Sequence, residues 1–203
     1  MKEYKVKILE KRPENWSEIE KAEINECVWL FDYKPECYAQ AVFIKDEGFL
    51  FRLSCKEKNP KAVHEGFYSH VYKDSCLEVF AIFDNTSKKY VNVEMNSIGA
   101  SLVAVGENRH DRTPIDKVIG KPFPVKAKIE ENEWCAAVFV SCDDLEKIYG
   151  ISKDVFKEGY EFYGNFYKCG DETETEHYVM WNRVETEKPD YHRPEYFGKF
   201  ILE

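Results

Sequence analysis

Short segments in which apolar and polar residues alternate recur along the whole chain, and very little of it shows the repeat of a helix. Alternation with a period of two is typical of a half-buried β-strand. Tyr4, Val6 and Ile8 show this pattern near the start of the chain. Turn-forming residues separate further segments of the same kind, which predicts β-hairpins. The other predicted strands are residues 38–44, 49–55, 76–83, 90–96, 125–129, 134–140, 162–169 and 197–202.

Only one short helix is predicted with a defined start, from Asp143 to Tyr149, with Asp143 as the N-cap. The charged segment from Pro13 to Asn25 is expected to be helical or irregular. No repeat and no linker rich in Gly, Ser or Pro interrupts the chain, so residues 1–203 are predicted to form a single domain. Many short strands joined by turns favour an all-β sandwich or a barrel with one or two short helices.

The charge of the chain excludes some classes of partner. Twenty-nine Lys and Arg residues against 38 Asp and Glu residues leave a formal net charge of −9. This balance argues against the phosphate backbone of a nucleic acid, or an anionic membrane surface, as the main partner. Aromatic residues make up 15% of the chain, which suits a strand-rich fold, an aromatic binding surface, or both.

The sequence also bears on location and cysteine chemistry. No apolar run approaches the roughly 20 residues of a membrane span, and the first residues contain no apolar core of a signal peptide. These features predict a cytoplasmic protein, with a secreted protein trimmed at its N-terminus as the alternative. The seven scattered cysteines are expected to be free and mostly buried, and a few disulfides would accompany the secreted alternative.

Two neighbouring predicted strands carry polar residues where their pattern is otherwise apolar. In residues 76–83, Glu78 shares a face with Cys76, Phe80 and Ile82. In residues 90–96, the face opposite the core carries Tyr90, Asn92, Glu94 and Asn96. If the two strands pair as a hairpin, the carboxylates and carboxamides share one sheet face, which suits the hydroxyl groups of a sugar. Two alternatives remain at this stage: an ordinary solvent face, or the paired carboxylates of a glycosidase, Glu78 and Glu94.

Other kinds of site are less well supported by the pattern. The acidic run from Asp171 to Glu176 predicts a solvated loop, or a source of oxygen ligands for calcium. The five histidines lack the spacing of a zinc site. No phosphate-binding loop, nucleophile elbow or metalloprotease motif is present.

Three segments taken together resemble the family 9 carbohydrate-binding modules, in particular the stand-alone bacterial proteins of this kind. They are KDSCLEVF from Lys73, YVNVEMNSIGA from Tyr90, and MWNRVETEKPDYHRPEYFGKF from Met180. The resemblance covers most of the chain, and it implies an antiparallel β-sandwich of the jelly-roll or immunoglobulin-like type. It also implies a sugar held between two aromatic side chains with help from polar strand residues, and structural calcium.

The resemblance assigns individual positions. One aromatic falls at Tyr191, where the well-studied binders have Trp, and the other falls at Val71, with Tyr72 beside it. The motif glutamate corresponds to Glu78. The polar strand positions correspond to Glu94 and Asn96, where the family has Arg and Asn.

We therefore expect a non-catalytic saccharide-binding protein with Tyr191 as an exposed platform. A glycosidase using Glu78 and Glu94 and a protein-interaction domain with exposed aromatic residues are the alternatives. The candidate ligand-binding residues are Tyr72, Glu78, Asn92, Glu94, Asn96, Tyr191 and Arg193, and the candidate calcium ligands are Asp84, Asp171 and Glu172.

Overall fold

The computed structural model describes all 203 residues and consists mainly of β-strands. The strands are β1 (Glu3–Leu9), β2 (Ala22–Ile24), β3 (Glu36–Ile44), β4 (Gly48–Lys56), β5 (Cys76–Ile82), β6 (Tyr90–Asn96), β7 (Ser101–Asn108), β8 (Asp111–Pro114), β9 (Val125–Ile129), β10 (Trp134–Ser141), β11 (Glu161–Cys169), β12 (Tyr178–Met180) and β13 (Gly198–Leu202). Two short helices, α1 (Ile115–Ile119) and α2 (Cys142–Tyr149), complete the regular structure. Both helices, of five and eight residues, are far too short to span a bilayer.

The strands follow the order β8-β7-β6-β5-β11-β13-β1-β3-β4-β10-β9, with β12 beside β11 and β2 beside β3. Strand β1 joins the two halves of this sheet, because residues 3–6 pair with β13 and residues 7–9 pair with β3. Both of these pairings are parallel, and the other strand pairs are antiparallel. The sheet is therefore mixed, where a purely antiparallel one was expected.

The main core lies between the two halves of the sheet, as in a β-sandwich. Phe49 and Phe51 of β4 meet Phe83, which follows β5, at ring-centroid distances of 5.1 and 6.1 Å. Phe51 also lies 6.3 Å from Phe166 of β11. These contacts arise because alternate residues of each strand point to the same face and are apolar there.

A second apolar cluster covers the outer face of β5, β6 and β11. Phe80, Tyr90 and Tyr167 point away from the main core and are fully buried. Trp29 and Tyr191, from loop segments distant in sequence, pack over them. These residues determine where the candidate site can lie, because they leave only one part of that sheet face open.

All nine predicted strands are present, and the structure adds β2, β7, β8 and β12, which were not predicted. The other differences concern the loops and caps. The segment from Pro13 to Asn25 is irregular apart from its contribution to β2. Helix α2 begins at Cys142, and Ser141 is its N-cap, since the Ser141 hydroxyl accepts the backbone N–H of Asp144 at 3.1 Å. Asp143 is therefore not the cap. All seven cysteines are free, and five of them are buried.

Candidate functional site

A cleft of about 340 Å³ opens on the outer face of β5, β6 and β11. The turn between β7 and β8 forms one wall, and the segment leading to β13 forms the other. The lining residues are Tyr72, Glu78, Glu94, Leu102, Arg109, His110, Arg112, Cys169, Asp171, Tyr178, Pro189, Asp190, Tyr191 and His192.

Two carboxyl groups form the floor of the cleft. Glu78 of β5 and Glu94 of β6 are directly opposite each other and are only 3% and 4% exposed. This confirms that the two strands pair and present both glutamates on one face. Burial raises the pKa of Glu78, and the charge of Glu94 raises it further. Burial also raises the pKa of Glu94, although Arg112 and Asn92 oppose that shift. The pair therefore holds a proton near neutral pH more readily than isolated glutamates would.

A basic wall stands beside this floor. Arg109 and His110 lie in the exposed turn between β7 and β8, and Arg112 follows in β8. The Arg112 Nη1 atom is 3.8 Å from Glu94 Oε1, and its Nε donates to the Arg109 carbonyl oxygen at 3.0 Å. Arg109 Nη1 lies 3.8 Å from Asp190 Oδ1 across the cleft. No pattern in the sequence singled out these residues, because a charged turn looks the same whether or not it borders a cleft.

Tyr191 belongs to the opposite wall but is not the exposed platform that was expected. Its ring is stacked on Tyr167, with centroids 4.0 Å apart and planes 13° apart, and the residue is only 7% exposed. Its hydroxyl lies 3.1 Å from the carbonyl oxygens of Lys168 and Val179. Burial is the main reason that the pKa of this hydroxyl is raised. One face of the ring is therefore already used in packing.

Two other tyrosines are more open to a ligand. Tyr72 lies half-buried in a 3-10 turn and lines the cleft, whereas its neighbour Val71 is fully buried in the outer cluster. Tyr178 is also half-buried and meets Tyr191 edge-on, with ring centroids 6.1 Å apart. Tyr72, a predicted ligand-binding residue, lines the cleft, and Tyr178 is a further aromatic residue there that no sequence pattern indicated.

Three of the predicted ligand-binding residues do not line the cleft. Asn92 is fully buried, and its Nδ2 donates to Glu94 Oε1 at 3.0 Å, so it orients that glutamate. Asn96 is also fully buried, and its Nδ2 donates to the His64 carbonyl oxygen at 2.8 Å. Arg193 pairs with Glu195 at 2.6 Å on the outside of the wall. Asn96 and Arg193 therefore have structural contacts where direct ligand contacts were expected.

The three candidate calcium ligands do not come together. Asp84 accepts the backbone N–H and the hydroxyl of Thr86 in a turn, at 3.0 and 2.8 Å. Glu172 pairs with Lys73 at 2.9 Å, and Asp171 lines the cleft. Calcium takes six to eight oxygen ligands at one point. These carboxylates do not fit such a site.

A β-sandwich with a polar, partly aromatic cleft on one sheet face is the architecture expected of a carbohydrate-binding module. The sequence model of carbohydrate-binding family 9 matches residues 10–202, and the chain belongs to this family. Its family is therefore one of carbohydrate-binding proteins, in agreement with the resemblance seen in the sequence. A comparison with curated proteins finds no significant match.

Solved structures agree with this assignment. A candidate carbohydrate-binding protein of Bacteroides uniformis ATCC 8492 is 25% identical, with a TM-score of 0.81 over 100% of this chain and 99% of that one. A family 9 module of Caldicellulosiruptor kristjanssonii, in complex with cellotriose, is 10% identical, with a TM-score of 0.68 over 100% and 94% of the two chains. Its complex with glucose gives 11% identity and a TM-score of 0.67 over 100% and 96%. The two latter likenesses establish the shared fold.

Proposed function

We propose that this chain binds a saccharide in the cleft between the β7–β8 turn and the segment around Tyr191, and that it leaves the saccharide chemically unchanged. The observation that carries the proposal is a pair of buried polar atoms without hydrogen-bond partners. They are Oε2 of Glu94, an acceptor, and Nη1 of Arg112, a donor. Both residues line the cleft.

Unpartnered polar atoms of this kind cost free energy, about 1–3 kcal/mol each for a neutral group. A hydroxyl group donates one hydrogen bond and accepts others. Both atoms have almost no accessible surface, so small shifts of the two side chains on binding would let neighbouring hydroxyls of a sugar ring satisfy them together. The resemblance implies an arginine where this chain has Glu94, and the Arg112 guanidinium, 3.8 Å away, supplies that chemical group from another strand.

The aromatic residues of the cleft offer a sugar ring only a small area of apolar contact. Tyr72 and Tyr178 are the half-buried rings at the edge of the cleft, and they offer apolar surface to the C–H groups of a ring. The free energy gained from one such contact and a few hydrogen bonds is partly offset by the entropy lost on association. The balance corresponds to dissociation constants in roughly the micromolar to millimolar range.

The position of the carboxyl groups favours binding over hydrolysis. Glycosidases use two carboxyl groups that flank the scissile bond. Glu78 and Glu94 lie side by side on adjacent strands of one sheet face, so both approach a ligand from the same side. This arrangement supports recognition of hydroxyl groups rather than attack and protonation from two sides.

Titration calorimetry with glucose, cellotriose and a panel of other defined oligosaccharides tests the proposal. We expect saturable binding of at least one saccharide, with the sugar recovered intact. Arg112→Met and Glu94→Leu remove one polar partner each while retaining bulk, and each should weaken binding by at least about ten-fold, or ~1.4 kcal/mol.

Arg183→Ala is the matched control, because Arg183 pairs with Glu185 at the surface and does not line the cleft. It should bind like the unmodified protein. Binding that survives both cleft substitutions would place the saccharide elsewhere. Cleavage products would show that the protein is an enzyme.

A further inference from the structure

Two cysteines and a glutamate converge beneath the cleft. Cys76 of β5 is directly opposite Cys169 of β11, and Glu78 lies two residues along β5 on the same face. One ligand atom from each of the three side chains lies within 4.8 Å of those of the others. Cys169 Sγ is 2.9 Å from Glu78 Oε1. These residues are at most 3% exposed, so the cluster is built into the sheet and not assembled from mobile surface groups.

The cluster contains no cation of its own. Glu78 forms no ion pair, and its only hydrogen bond comes from the Cys169 thiol. The neighbouring ammonium group of Lys168 is directed elsewhere, with Nζ 2.9 Å from the Cys169 carbonyl oxygen and 2.5 Å from His177 Nε2. A buried carboxyl group without a positive partner is costly unless it is neutralised or binds a metal.

The neighbouring strand β6 supplies no cation to the cluster either. Glu94, directly opposite Glu78, is 4% exposed, and its Oε2 atom has no hydrogen-bond partner. The one ion pair of Glu94 is with the Arg112 guanidinium, 3.8 Å from its other oxygen. The two adjacent buried carboxyl groups therefore have one ion pair between them, on the Glu94 side.

We propose that Cys76, Cys169 and Glu78 form a binding site for a thiophilic divalent ion of the zinc class. Two thiolate sulfurs and one carboxylate oxygen provide three of the four ligands of a tetrahedral ion. The fourth position would be left to a water molecule on the side of the cleft, which Cys169 and Glu78 both line. On binding, the two thiols release their protons to solvent, and the S–metal bonds replace the S–H bonds.

The ligand set selects the class of metal. Thiolates favour zinc and other soft or borderline ions, whereas magnesium and calcium require oxygen ligands throughout. Ligands on paired strands are already held near one another, so little chain entropy is lost on binding. The inference does not rest on the proposed function, because the ion would bind whether or not a saccharide occupies the cleft above it.

Titration of the reduced, metal-free protein with Co²⁺ tests the site in the absence of any sugar. We expect saturation at about one equivalent, with the sulfur-to-cobalt charge-transfer absorption and the visible bands of tetrahedral cobalt. Zn²⁺ should displace the cobalt and raise the melting temperature. Cys76→Ser and Cys169→Ser should each weaken cobalt binding by at least ~100-fold, since each removes a direct ligand.

Two cysteine variants outside the cluster serve as matched controls. Cys142→Ser removes an equally buried thiol at the start of α2 and should leave cobalt binding unchanged. Cys37→Ser tests the other close thiol pair, since Cys37 Sγ lies 2.9 Å from Cys55 Sγ. Cobalt absorption that is lost in Cys37→Ser but retained in Cys169→Ser would overturn the assignment.

X-ray absorption tests the metal site in the unmodified protein, so the result does not depend on whether the cysteine variants fold. Zinc-edge X-ray absorption of the one-to-one zinc complex should show two sulfur neighbours at ~2.3 Å and lighter ligands at ~2.0 Å. A spectrum without sulfur neighbours, or no cobalt or zinc binding by the folded protein, would contradict the proposal. None of these outcomes depends on the saccharide titrations.

Discussion

The Tyr191 ring lies against Tyr167 on one side, while the residue forms part of the cleft wall. Its hydroxyl is within 3.1 Å of two backbone carbonyl oxygens. At the residue scale, this side chain therefore has two roles, in packing and in shaping the cleft. An exposed tyrosine that only stacks on a ligand would have no reason to satisfy its hydroxyl internally.

Two substitutions at Tyr191 should separate the stability contributed by packing of the ring from that contributed by the hydrogen bond of the hydroxyl. Tyr191→Ala is expected to lower the free energy of unfolding by about 3–5 kcal/mol, because it leaves a cavity against Tyr167. Tyr191→Phe keeps the ring and should cost only about 1 kcal/mol, which is the worth of one hydrogen bond. Urea denaturation of the two variants beside the unmodified protein measures both values. Equal stability of Tyr191→Ala and the parent would show that the ring does not belong to the core.

At the scale of elements, the hairpin of β7 and β8 holds the basic wall in place. Gly106 of β7 is opposite Arg112 of β8, and the pairing is irregular between Gly106 and Asn108. A Cβ atom at Gly106 would collide with the backbone carbonyl of Asp111. The close approach of the two strands, and with it the position of the Arg112 guanidinium over Glu94, therefore requires glycine.

Gly106→Ala is expected to weaken saccharide binding by at least about ten-fold, because the hairpin must move to admit the methyl group. Gly120→Ala is the control. It also introduces a methyl group at a glycine, with φ of +83° at the end of α1, but a Cβ there meets no atom within 4 Å. Both variants should lose stability, by about 1–3 kcal/mol, and only the first should lose affinity. Calorimetry and melting curves on the same samples compare them, and normal binding by Gly106→Ala would contradict this role of the hairpin.

At the scale of the whole molecule, a buried polar network connects the two halves of the sandwich. Lys168 of β11 is fully buried, with Nζ 3.8 Å from Oε2 of Glu57, which follows β4. The indole N–H of Trp134 in β10 donates to the same oxygen at 2.9 Å. Lys168 also donates to His177 Nε2, so the ring carries its proton on Nδ1, which lies 2.7 Å from the Thr175 carbonyl oxygen. His177 is therefore held neutral in the folded protein.

This network predicts a loss of stability in acid. Burial, with Lys168 beside the ring, lowers the pKa of His177 to about 4. The unfolded chain takes up this proton near pH 6.5, so it binds more protons than the folded state between these values, and stability falls as the pH falls. The contribution is on the order of 3 kcal/mol at pH 4 relative to pH 7.

Denaturation of the protein and of His177→Gln across this pH range checks the prediction. Glutamine can accept the Lys168 hydrogen bond but does not titrate. The variant should therefore lose less stability than the parent between pH 7 and pH 4. Parallel pH profiles for the two proteins would show that His177 does not titrate differently in the folded and unfolded states.

The local pattern of the sequence was sufficient to predict several strands and one face of the site. Alternation in β5 and β6 placed Glu78 and Glu94 on the same side, because side-chain direction in a strand depends only on the position along it. The same reasoning failed for β7, where Leu102, Val103 and Ala104 are all buried, so no alternation marks the strand. No strand was predicted in that region for this reason.

Only the tertiary structure decided what lies above that face and beside it. The two ends of the chain meet where β1 pairs with β13, and β1 then continues into the other half of the sheet. Three features of the site depend on contacts between separate elements. They are the approach of Arg112 to Glu94, the burial of Tyr191 against Tyr167, and the pairing of Cys76 with Cys169. Such contacts depend on the packing of distant segments, which periodicity within one segment does not encode. The sequence by itself thus determined which way the side chains of its regular strands point, and the fold determined which of them meet.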